Sequence, residues 1–252
     1  MDVLKNKVAL VTGSSRGIGA AIARLFARHG AKVAVHGRDR AALSLIKADI
    51  ESDGGIAAEV MADVTRFDEI EVMRHQIEHI LGPIDVLVAN AGGSFTTPGP
   101  IEATSEEGWH ASLDGNLTAT FLTIKSVLPG MKERKSGNII TISSAAGRRP
   151  NAYAPIPYSA AKAGVQILTQ DVAAQVGPLG IRVNCIAPET IMTDRNQQRI
   201  PEAQIKPLVD MHPIKRLGTP EDVAQAALFL ASDNSPWITG IVLDVAGGAV
   251  MV

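Results

Sequence analysis

Val8 to Gly30 reads VALVTGSSRGIGAAIARLFARHG. Its first residues form an unbroken aliphatic run rather than an alternating one, which predicts a strand buried on both faces. The run ends in Gly13, Gly17 and Gly19, and these open an amphipathic helix. Glycine allows a tight turn and the close approach of a ligand's pyrophosphate. The helix N-terminus adds free N–H groups and the positive end of its dipole. The spacing is G-x-x-x-G-x-G, which differs from the commoner G-x-G-x-x-G. No Gly-Lys-Ser/Thr follows, which argues against a nucleoside-triphosphate loop.

Further strand-like runs appear at Lys32 to Val35, Ala57 to Met61, Ile84 to Ala89, Asn138 to Ile142, Ile181 to Ile186 and Ile241 to Val245. Helical stretches lie between them, as βαβ crossovers require. In Asp68 to Leu81, residues Ile70, Met73, Ile77, Ile80 and Leu81 form one apolar stripe. The expectation is an α/β protein: a Rossmann-type, doubly wound, parallel seven-stranded sheet with helices on both faces. No repeat or low-complexity linker interrupts the chain, so residues 1–252 are expected to form one domain. The Gly92 to Pro100 loop, GGSFTTPGP, follows a strand end and reads as part of a site.

Bulk properties narrow the partners. There are 24 basic and 26 acidic residues for a net charge of -2, with no long run of one sign. Neither nucleic acid nor an anionic membrane is suggested, and a small molecule is the expected partner. The lone Cys185 lies in an apolar run and reads as a buried strand residue in a reducing compartment. No leader-like start and no stretch of 18 apolar residues is present, so a cytoplasmic protein is expected. His75 to His79 matches H-x-x-E-H, but both histidines lie off the apolar stripe, and no metal is expected.

One of only two tyrosines, Tyr158, precedes Lys162 by four residues in IPYSAAKAGV. On a helix the two share a face. An ammonium nearby favours a phenolate. Unit charges roughly 4 Å apart at an effective dielectric of about 20 interact by about 4 kcal/mol, enough to lower a phenol by about 3 pKa units at most.

With Thr12-Gly13-x-x-x-Gly17-Ile18-Gly19, Asn90-Ala91-Gly92, Asn116, Ser144, Tyr158-x-x-x-Lys162 and the late RLGTPEDVAQAALFLASD, the chain resembles the short-chain dehydrogenase/reductase family from end to end. The resemblance implies hydride transfer between a nicotinamide dinucleotide and a carbonyl or alcohol. It implies Tyr158 as the acid/base and Lys162 as the group that lowers its pKa and binds the nicotinamide ribose. Ser144 would hydrogen-bond the substrate oxygen, and Asn116 would steady a water behind the lysine. Ser143 is the rival of Ser144; successive strand residues point oppositely, and Ser144 fits the family's Ser-x-x-Gly. From Ser144 to Tyr158 there are 14 residues, one more than the family's usual spacing, which places the extra residue in RRPNAYAPIP. Tyr153 there reads as a pocket-wall or surface aromatic.

The resemblance assigns cofactor contacts to Gly13, Ser15, Arg16, Gly17, Ile18, Gly19, Asp63, Val64, Asn90, Ala91, Gly92, Tyr158, Lys162, Pro188, Ile191 and Thr193. Where NAD-preferring relatives carry an acid after strand two, this chain has Gly37 and then Arg38. A guanidinium suits a 2'-phosphate, so NADP(H) is expected over NAD(H). The expected substrate is a small free ketone, aldehyde or alcohol. The alternative is a 3-oxoacyl-(acyl-carrier-protein) reductase, against which stands Leu179 where a basic carrier-docking residue is usual. A dinucleotide sensor without turnover would usually lose the tyrosine or lysine. Residues 190–216 read as a substrate lid. The helix from Tyr158 is apolar or small around most of its circumference, which suggests a homo-oligomer, a tetramer by resemblance. Pro188-Glu189 replaces the family's Pro-Gly; a left-handed backbone there would strain a glutamate, and its carboxylate would repel anionic substrates.

Overall fold

The computed structural model describes residues 2–251; the first and last residues of the expected span 1–252 lie outside it. Seven parallel strands form one sheet in the order β3-β2-β1-β4-β5-β6-β7. They are β1 (Val8–Val11), β2 (Lys32–Gly37), β3 (Ile56–Met61), β4 (Val86–Ala89), β5 (Gly137–Ile142), β6 (Ile181–Pro188) and β7 (Val242–Val245). The helices are α1 (Gly17–Arg28), α2 (Arg40–Ser52), α3 (Phe67–Ile80), α4 (Glu106–Leu113), α5 (Ala119–Arg134), α6 (Ile156–Val176), α7 (Asp194–Arg199), α8 (Glu202–Asp210) and α9 (Pro220–Ala231). The sheet order reverses direction at β1, and open α/β sheets bind ligands at the crevice beside such a reversal.

The period of two along β1 divides the core. Ala9 and Val11 join one cluster with Phe26 of α1, Leu43 of α2 and Leu230 of α9. Val8 and Leu10 join the other with Ile70 and Met73 of α3 and Met131 of α5. Because both faces are covered, an unbroken aliphatic run is the sequence that fits.

Several boundaries differ from the sequence reading. β4 starts at Val86 rather than Ile84; Asp85, just before it, accepts from the Val8 N–H through its carboxylate at 2.9 Å and donates its own N–H to the Val8 carbonyl at 2.9 Å. In α3 the inner stripe is Ile70, Met73, Ile77 and Leu81, whereas Ile80 is 53 % exposed. Leu81, expected in the stripe beside Ile80, is the buried one of the two. His75 and His79 are exposed, beside an Arg74 that bridges Glu71 at 2.9 Å and Glu78 at 2.6 Å. Cys185 is fully buried in β6.

The late motif builds a helix start. Thr219 and Asp222 cap α9 reciprocally, and Arg216 grips both carboxylate oxygens of Asp222 at 2.6 and 2.8 Å. The Arg216 hydrogen bonds hold that carboxyl down at about 2. Within residues 190–216, α7 and α8 bury none of their residues. Both ends of the segment are tied to the body: Met192 N–H donates to the Gly218 carbonyl at 2.8 Å, and Ile214 N–H to the Gly247 carbonyl at 3.0 Å.

Candidate active site

A cleft of about 2190 Å³ runs along the C-terminal ends of the strands from the first glycine turn to α7 and α8. A single drug-sized ligand needs roughly 300–1,000 Å³, so the cleft has room for a dinucleotide and a second molecule. Its wall includes every site residue expected from sequence except Asn116.

The glycine turn forms its floor. Gly13 and Gly17 have φ of +65° and +56°, the left-handed region that glycine occupies without strain. A side chain on Gly19 would overlap the Gly13 carbonyl and come within 2.6 Å of Asn90 Nδ2. That amide donates to the carbonyls of Thr12 at 2.9 Å and Gly13 at 3.1 Å. Thr12 Oγ1 in turn accepts from the N–H groups of Asn90 and Ala91, both at 3.0 Å. These bonds lock the ends of β1 and β4 together.

His36, which the sequence reading passed over, supports the same turn. Gly13 N–H donates to its Nδ1 at 3.1 Å, so Nε2 carries the proton and donates to the Ala62 carbonyl at 3.1 Å. Burial lowers the imidazole pKa and keeps it neutral, as that arrangement requires. Next to it, Gly37 leaves no room for an acid without moving Ser15, whose Cβ and Oγ lie 3.3 Å from where a side chain would start. Arg38 is exposed on the wall and forms no ion pair among the described residues. Arg16 pairs with Asp39 at 3.1 Å. Asp63 accepts from Thr65 N–H and Oγ1 at 2.9 and 2.7 Å, bonds that lower its carboxyl pKa.

The reacting end is built by β5 and α6. Ser144, half-buried, lies near enough to Tyr158 to act on its hydroxyl and caps the turn Ala145–Gly147, its Oγ accepting from Ala146 N–H at 3.1 Å. Ser143 points the other way: its hydroxyl donates to the Lys162 carbonyl at 2.7 Å and accepts from Gln166 Nε2 at 2.9 Å. Tyr153 is 63 % exposed on the wall, in the loop between that turn and α6.

Three expectations meet a different local structure. The Tyr158 pKa is raised rather than lowered: burial pushes the phenol up, and the Ser144 hydroxyl offsets only part of this. The ammonium is itself buried, donates to the Ile142 carbonyl at 2.8 Å, and has its pKa lowered by burial to about 8. Its Nζ lies 5.8 Å from the Tyr158 ring centroid. Second, the Asn116 side chain is already committed. It sits in a π-helical turn, Asp114–Thr118, with Nδ2 donating to the carbonyls of Gly93 and Ser112 at 2.9 and 2.8 Å. Its Oδ1 accepts from Gly93 N–H at 3.0 Å, so the side chain braces the glycine loop. Third, Glu189 does not have positive φ and carries no left-handed strain. Its N–H donates to the Val245 carbonyl at 3.2 Å, and its Oε1 accepts from Thr190 N–H and Oγ1, each at 3.2 Å.

A family model described as enoyl-(acyl carrier protein) reductase matches residues 13–250. The 3-oxoacyl-(acyl-carrier-protein) reductase of Chlamydia muridarum is 39 % identical over 98 % of each chain. The reductase of the same description from Synechocystis sp. is 40 % identical over 100 % of each.

The chain belongs to the short-chain dehydrogenase/reductase family.

A crystal structure described as a 3-oxoacyl-(acyl-carrier protein) reductase with bound NAD, from Brucella melitensis, superposes with a TM-score of 0.91 at 32 % identity. It covers 100 % of this chain and 94 % of its own. This short-chain dehydrogenase/reductase is therefore an oxidoreductase acting on a carbonyl or hydroxyl group.

The buried lysine has a consequence for stability. Its folded pKa, about 8, lies below the free value of 10.5, so between those values the unfolded chain binds more protons and stability rises with pH. The contribution is present above the unfolded value and lost as pH falls through about 8. It amounts to about 3 kcal/mol at most. Urea unfolding of parent and Lys162→Met from pH 7 to 10 should show the variant gaining on the parent at neutral pH. The gap should close as pH rises; a gap independent of pH would show that Lys162 is not titrating there.

Proposed function

We propose that this oxidoreductase reduces the oxo group of a 3-oxoacyl thioester to a hydroxyl group with NADPH. The observation that carries this is the Ser144–Tyr158 pair, with the phenol held protonated at the cleft wall. The full-length similarity to 3-oxoacyl-(acyl-carrier-protein) reductases supports the acyl substrate. The glycine cradle fits a dinucleotide pyrophosphate, because Gly19 has no room for a side chain where the turn must approach a ligand.

When bound, the nicotinamide supplies a hydride to the carbonyl carbon. Tyr158 gives its hydroxyl proton to the developing oxyanion, while Ser144 donates a hydrogen bond to the same oxygen. A phenol whose pKa is raised is present as the donor at neutral pH, as the reduction step requires. In reverse, Tyr158 must first lose its proton, so alcohol oxidation rises toward alkaline pH. Asn116, by fixing Gly93, positions the loop across which the substrate lies.

A second reading, a small free ketone or aldehyde, is favoured by one observation. Leu179 packs half-buried against the core instead of offering a basic docking charge. NADPH oxidation with an acyl-carrier 3-oxo thioester and with a simple 3-oxo ester decides between the readings by relative kcat/KM. In the same assay Tyr158→Phe should lose nearly all turnover and retain NADPH affinity. Turnover within tenfold of the parent would reject the mechanism.

The NADPH preference rests on Arg38, which forms no ion pair among the described residues and follows a position where a side chain would press on Ser15 at 3.3 Å. Arg38→Ala should weaken NADPH by roughly tenfold to a hundredfold, since a charge-assisted hydrogen bond contributes about 1.5–3 kcal/mol. NADH should change little, as read by fluorescence titration. Equal losses would remove Arg38 from the 2'-phosphate.

We propose a homotetramer as the assembly. Ile156 and Ile167 on α6 are 40 % and 55 % exposed, with Trp109 of α4 and Phe121 of α5 also open at 37 % and 46 %. These apolar side chains suit burial against a second copy. Light scattering at micromolar concentration should give four times the chain mass, and a monomer would refute it.

A further inference from the structure

Two arginines of α7 carry a signal that the sequence reading missed. Arg195 and Arg199 lie four residues apart, one helical turn, and both line the cleft. Neither forms an ion pair among the described residues, whereas Arg16 on the same wall is paired with Asp39. Arg195 spans the mouth. Its Nη2 reaches the Ser94 carbonyl at 3.4 Å, a long and weak bond, and its Nη1 stands 3.1 Å from where a Gly93 side chain would begin. Burial, then the like charges of Arg199 and Arg16, lowers its pKa; Asp114, Glu189 and Asp194 lie on the same cleft wall, and none of them forms an ion pair with either arginine among the described residues. The guanidinium is also close enough to the Tyr158 hydroxyl for each to feel the other's charge. Glu189 is the carboxylate whose charge acts on Tyr158, and its Oε1 is bonded to Thr190 rather than to either arginine.

A planar fork of donors with one weak partner, on the wall of the cleft that the proton donor also lines, matches a carboxylate in shape and charge. We infer that Arg195, supported by Arg199, binds a carboxylate on the acyl part of the substrate, near the carbonyl that Tyr158 protonates. The inference rests on the reductase reading above and deepens it, making the substrate an anionic oxo compound. It also reverses the selectivity expected from Glu189 alone. The carboxylate has two possible sources: the acid group of a free 3-oxo acid, or a second acid group on the acyl chain of a thioester. The rival occupant is a cofactor phosphate, because Thr193 at the start of α7 comes within 3.2 Å of where a Gly17 side chain would begin.

The test compares parent, Arg195→Met and Arg195→Lys on four probes. These are acetoacetate, ethyl acetoacetate, and the N-acetylcysteamine thioesters of acetoacetic acid and of 3-oxoadipic acid. Arg195→Met should lower kcat/KM roughly tenfold to a hundredfold on a carboxylate-bearing probe and less than about threefold on its neutral counterpart. The Kd for NADPH should not move, and Arg195→Lys should recover part of the loss. Loss on acetoacetate identifies the free acid as the source; loss confined to the 3-oxoadipyl thioester identifies the chain carboxylate. Equal losses on neutral and anionic probes, or a matching loss of NADPH affinity, overturn the inference. Calorimetry with acetoacetate and NADP separates it from the reading beneath it. A parent that binds acetoacetate through Arg195 yet reduces no probe keeps the carboxylate site and overturns the reductase. A parent that reduces the ester and binds no carboxylate does the reverse.

Discussion

The contact on which the rest of the site depends is the closure of Gly19 onto the Gly13 carbonyl, with the Asn90 amide against both. It brings the start of α1 and the ends of β1 and β4 into one small volume. Only at the point where the sheet order reverses do two neighbouring strands leave a crevice open to ligand, and this contact sets its width. A methyl group on Gly19 would meet backbone oxygen, which cannot rotate away as a side-chain tip can. His36 extends the constraint to β2 and to the end of β3, since one neutral imidazole bonds Gly13 on one side and Ala62 on the other. The wall for the dinucleotide is therefore fixed by backbone and short polar side chains before any long side chain contributes.

The reacting end follows a different logic. Tyr158 and Lys162 are both driven toward their neutral forms by burial, the phenol upward and the ammonium down to about 8. A buried charge without a partner costs several kcal/mol, and the Ile142 carbonyl is a single acceptor for three ammonium hydrogens. The free protein thus keeps a protonated phenol ready to donate and a lysine whose charge is sensitive to whatever occupies the cleft. Fixed positive charge comes instead from arginines at the rim, where water still reaches them.

All seven strands were legible because a sheet covered on both faces demands continuous aliphatic runs. The glycine turn was legible because its residues sit between such a run and a helix. Other features follow from contacts distant in sequence. The tie between the start of β1 and the approach to β4 is a bond from Val8 to the Asp85 carboxylate, 77 positions away. The role of Asn116 depends on a π-helical turn that directs its amide to Gly93, and no local pattern marks that turn. The sign of the Tyr158 shift depends on how much water burial removes, which spacing cannot tell. Glu189 escaped the expected strain because its backbone follows β6 into a bond with Val245 on β7 instead of turning as a glycine would. Arg195 was one charge among many in a polar segment until α7 placed it opposite Ser94.

The choice between Ser143 and Ser144 shows how strand register becomes chemistry. Ile142 pairs with Ile186 in β6, and Ser143 N–H then donates to the Ile186 carbonyl at 2.8 Å, so the register continues one residue past the strand. That fixes the Ser143 hydroxyl against α6, where it joins Gln166 to the Lys162 carbonyl. Since successive side chains oppose each other, the Ser144 hydroxyl must face the cleft. A slip of one residue would exchange the two serines, leaving α6 without its brace and Tyr158 without its partner at once. The brace sits on the backbone of the residue whose side chain reaches Ile142, so the same register that aims the hydrogen-bond donor also sets the rotation of the helix carrying the acid. Positioning and chemistry are thereby coupled through two adjacent hydroxyls on a single strand end.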